Sequence, residues 1–451
     1  MPPISNSTIS AKRLCLLGAM MVFLTSSLAT AEGPRVQEHI LANGMKVLIV
    51  EEPKAPVITV QIWYKVGSRN EIMGRAGLSH MLEHMMFKGT EKHGKGEFSK
   101  TIKKNGGNDN AFTSQDYTAY FENLAADKLA LALELESDRL QGLLLDDKEF
   151  QLEREVVKEE RRLRTEDNPQ AYMVEQMFAQ AFMEHPYHWP IIGWFPDLNA
   201  MTREDLRRHY EQYYVPNNAT VVIVGDVKAE TALPIIKQYF EDLPKGSPPP
   251  LQQIVDPPQT GERRIVVKRE AQLPFIYLGY KVPNFKSPDV HALAVLENIL
   301  SSGKSSRLHD ALVYRKKLAL GVGASYSELS ADPELYTVYA VVRPGAKIEE
   351  VEKALLAEIE RFKKQGPTAK EMQKAKNQVE ARHIFEQDSV FRQAMLLGTA
   401  ETVGAGWQYV ENYVENLRKV TEQDVLRVAC QYLVPDGLTT GILVPTEPAS
   451  R

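Results

Sequence analysis

Two spacings of apolar residues alternate along this chain, and they predict strands followed by helices, twice over. Residues 45–50 and 57–62 are runs of aliphatic and β-branched residues, preceded by Asn43 and Gly44, a pair suited to a hairpin turn. Residues 77–87 then switch to helical spacing, with Leu78, Met81, Leu82 and Met85 on one side, which predicts a buried helix. A further strand is expected over residues 113–121, and helices over residues 127–143 and 147–164. Past Gly246 and Pro248 the order recurs, with strands at 264–268 and 275–280 and a helix around 291–300. Strand runs and helix runs grouped in this way predict an α+β fold, helices covering a mainly antiparallel sheet.

The recurrence extends to sequence. Met201-Thr-Arg-Glu-Asp-Leu206 matches Val420-Thr-Glu-Gln-Asp-Val425, and Gln212-Tyr-Tyr-Val-Pro216 matches Gln431-Tyr-Leu-Val-Pro435, both at an offset of 219 residues. Tyr117-Thr-Ala-Tyr120 and Tyr336-Thr-Val-Tyr339 hold the same offset. A shared register argues for duplication: a first domain over residues 32–245, a Pro/Gly-rich linker over 246–262, and a homologous domain over 263–451.

Composition narrows the class. At 451 residues the chain has room for two cores. With 43% hydrophobic and 25% charged residues it has the makeup of a globular protein. The net charge of -5 lacks the basic bias of a nucleic-acid binder. Residues 1–31 read as a secretory signal peptide: Lys12 and Arg13, then a short apolar stretch, then Ala29-Thr30-Ala31 as a cleavage site. Retention of this leader as an anchor is the alternative. After its removal Cys430 is the only cysteine, which rules out an internal disulfide or a cysteine-based metal site. No second apolar run is long enough to span a bilayer, so no membrane insertion is expected after cleavage and the periplasm is the expected location.

The chemistry centres on His80-Met-Leu-Glu83-His84. Around a helix starting from His80, Glu83 lies at about 300° and His84 at about 40°, so both imidazoles and the carboxylate share a face. Two histidines four apart can hold one metal ion, in the reverse of the commoner His-Glu-x-x-His order. A catalytic zinc site takes three protein ligands. The expected helix over 147–164 offers Glu160, which shares a stripe with Glu153, Val156 and Val157. Carboxylates on an inward stripe need a cation or hydrogen bonds. Glu160 as the third ligand and Glu153 as a supporting carboxylate meet that need; a solvated, charge-rich face is the plainer reading of the helix alone. In the second half the motif aligns with Ala294-Val-Leu-Glu297-Asn298, and Arg382 falls opposite Glu160. One Zn2+ per chain is therefore expected, at His80, His84 and Glu160. Glu83 would act as general base toward a zinc-bound water.

These residues, together with His185-Pro-Tyr187, Pro190, Gly193 and the stretch from Tyr214 to Val227, resemble the pitrilysin-type zinc metallopeptidases, or inverzincins. The likeness is to half-length members related to mitochondrial processing peptidase, and it covers nearly the whole chain beyond the leader. It implies Glu160 as third ligand and Glu153 as the supporting carboxylate, and Glu153 is therefore counted with Glu83 among the candidate catalytic residues. It also implies four such domains around a chamber, so that two chains of this length must pair. Peptide substrate would add as a strand at a sheet edge, which makes Asn110 and Ala111 substrate-contact candidates. The family often carries an arginine followed seven residues later by a tyrosine, both contacting substrate. Arg315 stands at the first position, Val322 at the second, and Tyr326 is displaced. A homologous partner in a heterodimer is therefore favoured over a homodimer. The resemblance implies an endopeptidase acting on peptides or unfolded segments; a non-catalytic subunit of a complex, or a maturation protease for one precursor, are the alternatives.

Overall fold

The computed structural model describes residues 36–250 and 254–446. The expected leader lies outside the described residues. The N-terminal half opens with β1 (Gln37–Ile40), β2 (Lys46–Glu51) and β3 (Val57–Tyr64). Helices α1 (Leu78–Met85) and α2 (Glu97–Lys104) lead to β4 (Asn108–Thr113) and β5 (Thr118–Ala125). Five helices follow: α3 (Leu129–Gly142), α4 (Asp147–Arg161), α5 (Pro169–Ala181), α6 (Phe195–Ala200) and α7 (Arg203–Tyr213). Then come β6 (Ala219–Gly225) and α8 (Ala229–Phe240).

The C-terminal half runs β7 (Arg263–Glu270), β8 (Phe275–Val282), α9 (Val290–Ser301), β9 (Ala319–Ser325) and β10 (Glu334–Val342). It continues with α10 (Ile348–Gln365), α11 (Ala369–Gln387), α12 (Val390–Val403), α13 (Trp407–Lys419), α14 (Glu422–Tyr432) and β11 (Leu438–Thr446). Among the described residues, no helix is long and apolar enough to cross a membrane.

Each half builds one sheet, ordered β1-β2-β6-β3-β5-β4 and β7-β11-β8-β10-β9. Only β2 with β6 and β7 with β11 run parallel, so both sheets are mainly antiparallel as expected. The repeated sequences have local physical causes. Thr202 with Asp205 and Thr421 with Asp424 form matching capping boxes that start α7 and α14. Asn43 and Gly44 do make a turn: Gly44 takes φ of +90° between β1 and β2.

Two expectations need correction. The continuous strand over 113–121 is a hairpin, because the Ser114 hydroxyl accepts from the amides of Asp116 and Tyr117 and turns the chain there. The pairing of Tyr117 with Tyr336 is out by one residue. Tyr64 faces both Thr118 and Ala219, while Tyr280 faces Tyr336 and Leu438. Since Ala219 and Leu438 hold the 219-residue offset, Thr118 is the counterpart of Tyr336. A one-residue slip in a strand reverses which face a side chain takes.

The halves exchange helices. Met173 and Met177 of α5 are buried with Val267, Leu335 and Leu443 of the C-terminal sheet. In return, Ala394, Leu397 and Ala400 of α12 pack on Leu48, Trp63, Val222 and Val224 of the N-terminal sheet. Gly398 permits the approach, since a Cβ there would lie 2.1 Å from the Trp63 ring. A polar clasp adds to this. The Asp116 carboxylate accepts from the Tyr187 hydroxyl at 2.7 Å and from the amide of Ala331 at 2.9 Å. His185 Nε2 lies 3.1 Å from Asp332. The His185-Pro-Tyr187 motif thus fastens a C-terminal loop to the turn between β4 and β5.

Candidate metal centre

Helix α1 carries the histidines, and its start is rigidly placed. Gly77 has φ of +98°, and a Cβ there would lie 2.6 Å from the Ile192 carbonyl oxygen, so only glycine fits. The buried Glu71 carboxylate accepts from the amides of Gly77 at 2.6 Å and Ser79 at 2.7 Å, satisfying donors at the helix start. Burial pushes Glu71 up to about 8 against the pull of those two amides. Opposite the histidines, Met81, Leu82 and Met85 are fully buried in the N-terminal core.

Helix α4 packs alongside and brings its carboxylates to the same place. Val157 and Glu153 are buried on this side. Val156, assigned to the same stripe, is instead half-exposed, because the contact face of α4 is narrower than the stripe read from the sequence. After Arg161 the chain widens into a π-type turn over Arg162–Glu166. Arg161 itself is buried, donating to the Gly193 carbonyl at 2.7 Å and to Glu175 at 2.9 Å, which ties α4 and α5 to the loop beneath α1.

His80, His84 and Glu160 converge, with one donor atom from each within 4.8 Å of the others. His80 Nε2 lies 3.7 Å from Glu160, and His84 Nε2 lies 3.3 Å from it. Ligand atoms about 2.0–2.1 Å from one tetrahedral zinc ion are about 3.3 Å apart, so the donor set fits the metal in identity and spacing. Behind it, His84 Nδ1 lies 2.9 Å from Glu153, which also pairs with Lys88. That is the outer support metal-binding histidines need for orientation. Arg164 lies 2.8 Å from Glu160.

Local charge follows from these contacts. Burial, reinforced by the neighbouring His84, pulls His80 down to about 4. Burial would lower His84 too, but its bonds to Glu153 and Glu160 outweigh that and push it up to about 9. Burial raises Glu83 above the ordinary carboxylate range, against the opposing pull of a hydrogen bond from Thr113. That bond, Thr113 Oγ1 donating to Glu83 Oε2 at 2.5 Å, joins the end of β4 to α1. Sequence reasoning missed it, although Thr113 lies in the edge segment that supplied Asn110 and Ala111. Lys88 and Arg164 were also missed; each stands one helical turn beyond a proposed ligand.

The substrate candidates fall in two places. Asn110 and Ala111 lie on β4, which pairs only with β5 and forms an outer edge of its sheet. Arg315 is in the C-terminal half, exposed and paired with Asp310 at 2.7 Å, outside the metal group. Val322 sits in β9, and the Tyr326 hydroxyl donates to the Pro283 carbonyl at 2.7 Å.

A duplicated α+β fold brings two histidines and a glutamate of neighbouring helices together as a group that could hold a metal ion, and comparison with known proteins gives the family. The model described as "Insulinase (Peptidase family M16)" matches residues 46–193, and "Peptidase M16 inactive domain" matches residues 200–379. The chain is 36% identical to the zinc protease PqqE of Helicobacter pylori, over 97% of this chain and 99% of that one. It is 29% identical to an uncharacterized zinc protease of Streptomyces coelicolor, over 87% of this chain and 86% of that one. A crystal structure of a protease from Helicobacter pylori superposes with a TM-score of 0.88 at 36% identity, covering 91% of this chain and all of that one. The periplasmic protease PqqL of Escherichia coli has the same fold, with a TM-score of 0.75 at 20% identity, across 92% of this chain and 49% of that one. The chain belongs to peptidase family M16.

Proposed function

We propose that this chain is a zinc-dependent endopeptidase that cleaves peptides or unfolded segments in the periplasm and works with a homologous partner chain. The observation that carries the proposal is the convergence of His80, His84 and Glu160 one helical turn from a partly buried, hydrogen-bonded Glu83. Zinc held there supplies a Lewis acid that polarises a peptide carbonyl and lowers the pKa of water. Glu83 takes the proton from the attacking water and returns it to the leaving amine, and its raised pKa suits both transfers. Thr113 holds the Glu83 carboxylate in place. Glu153 and Lys88 keep His84 turned so that Nε2 faces Glu160, where the two would hold a metal together. The free edge of β4 offers backbone groups to an extended peptide, which favours loose sequence selectivity.

Three features support a partner. The C-terminal half lacks the tyrosine seven residues after Arg315. Leu152 and Val156 of α4 and Leu163 of the turn after it leave apolar surface exposed. The chain also matches only about half of the longer PqqL chain. The periplasmic location rests on the secretory character of residues 1–31.

The Glu83→Gln variant tests the mechanism: it should keep its zinc and lose turnover by about 10²–10⁴-fold. Cleavage at the wild-type rate would show that Glu83 is not the base. For the partner, the purified chain should be weakly active until the second chain is added; full activity of the isolated chain would remove that part of the proposal.

A further inference from the structure

The C-terminal half holds none of the expected metal ligands, yet its loop between β9 and β10 grips a segment that reaches Glu83. That segment is the turn over residues 114–117, between β4 and β5. Just before it, Thr113 donates to Glu83 at 2.5 Å and closes β4, the free sheet edge. Within it stands Asp116, 8% exposed.

The Asp116 carboxylate has its partners outside the turn. The Tyr187 hydroxyl donates to it, 2.7 Å and 2.9 Å from its two oxygens, and the amide of Ala331 donates at 2.9 Å. Arg69 lies 3.5 Å away and also pairs with Asp332. Tyr187, 1% exposed, accepts from the Asp332 amide at 3.1 Å, so one phenol oxygen joins the turn to the loop. The backbone of the turn is held as well. The carbonyls of Ser114 and Gln115 accept from the amides of Ser68 and Arg69 at 3.1 Å and 3.0 Å. Gly67 makes room, since a Cβ there would lie 2.4 Å from the Ser114 carbonyl oxygen.

Closing the turn requires none of these outside bonds. The Ser114 amide donates to the Tyr117 carbonyl at 2.8 Å, and the Ser114 hydroxyl caps two amides. A buried carboxylate with donors from two other segments instead fixes where the turn sits. Thr113 adjoins the turn and faces Thr118 across the strand ladder, so a shift of the turn shifts the Thr113 hydroxyl. From this geometry we infer that Asp116 is a positioning residue for the proposed hydrolysis, acting through Thr113. By holding Asp116, the loop at Ala331 and Asp332 sets the hydroxyl that orients the Glu83 carboxylate. The second half, without ligands of its own, thereby contributes to turnover at the first. This inference rests on the peptidase reading above.

Tyr187→Phe tests it, because the change removes a donor to Asp116 and leaves the buried ring. In the full chain loaded with zinc, it should lower kcat by about fivefold at unchanged KM and zinc content, since small displacements of a positioning group are costly in rate. In a Thr113→Val background the same change should cost less than about twofold, because its route is already cut. Asp116→Asn, which weakens the same bonds without emptying the site, is the second variant and should show the same pattern. Hydrogen exchange gives a readout without turnover. In the metal-free Tyr187→Phe chain, amides of residues 108–118 should exchange faster than in metal-free wild type, while those of α1 and α4 keep their rates. An equal loss of kcat with and without the Thr113 hydroxyl, a change in KM alone, or unchanged exchange over 108–118 would overturn the inference. Wild-type turnover by Glu83→Gln would instead defeat the reading it rests on, a result distinct from each of these.

Discussion

Replacing Glu153 separates the support of the metal site from its ligands. Glu153 touches no expected substrate; it accepts from His84 Nδ1 at 2.9 Å and pairs with Lys88, with its side chain 11% exposed. In Glu153→Gln the amide oxygen can still accept from His84, but the charge is gone and the amide nitrogen faces Lys88. A charge-assisted bond is roughly twice as strong as a neutral one, so the loss is about 1–1.5 kcal/mol. Each 1.4 kcal/mol is tenfold, which sets the loss of zinc affinity at about tenfold. Glu153→Ala removes the acceptor, frees the His84 ring to rotate and leaves Lys88 without its carboxylate. That variant should reach the upper end of the range for such supporting groups, about 100-fold. The assay is zinc competition against a chelating dye of known affinity at fixed pH, with folding checked by circular dichroism. The order wild type, then Gln, then Ala is the essential result. If both variants hold zinc within threefold of wild type, the ligands orient themselves and the argument fails.

Other outcomes follow from the same contacts. Thr113→Val should lower kcat by about tenfold at unchanged zinc content, through loss of a hydrogen bond to a charged group, and Thr113→Ser should restore it; an equal loss in both would assign Thr113 a packing role only. Arg139 is buried between Glu136, at 2.8 Å, and Glu122, at 3.5 Å. Arg139→Met should therefore destabilise the fold by about 3–5 kcal/mol in denaturant unfolding, and a cost below about 1 kcal/mol would refute the pairing. Burial would raise Asp256, but Lys281 and the amides of Met183, Glu184 and His185 hold it down to about 2. Because the folded pKa lies below the ordinary value, this stabilisation is complete above about pH 4 and fades as pH falls towards 2. The melting temperature of Asp256→Asn should thus trail wild type at pH 6, narrow the gap as pH falls and meet it only below about pH 2; a gap that does not narrow would refute the ionic account.

How much of the site the sequence discloses depends on the range of each interaction. His80, Glu83 and His84 are legible because helical geometry alone puts residues three and four apart on one face. Glu153 and Glu160 follow from the same periodicity, but Val156 does not, since the width of a buried stripe depends on the helix packed against it. Tyr117 was matched to Tyr336 on sequence likeness; the hydrogen-bond ladder sets strand register, and it chose Thr118. The strand expected over 113–121 broke at Ser114, whose side-chain bonds to the backbone compete with strand geometry.

The sequence by itself determined the class of chemistry, the duplicated α+β plan, and the loss of the ligands from the second copy. Each is written in local spacing or in the register of one half against the other. Only the tertiary structure decided that α5 and α12 cross to the opposite sheets and that Thr113 reaches Glu83. Those contacts join residues far apart in the chain, and no local periodicity encodes which distant surface a helix will bury against or which donor will meet a buried carboxylate.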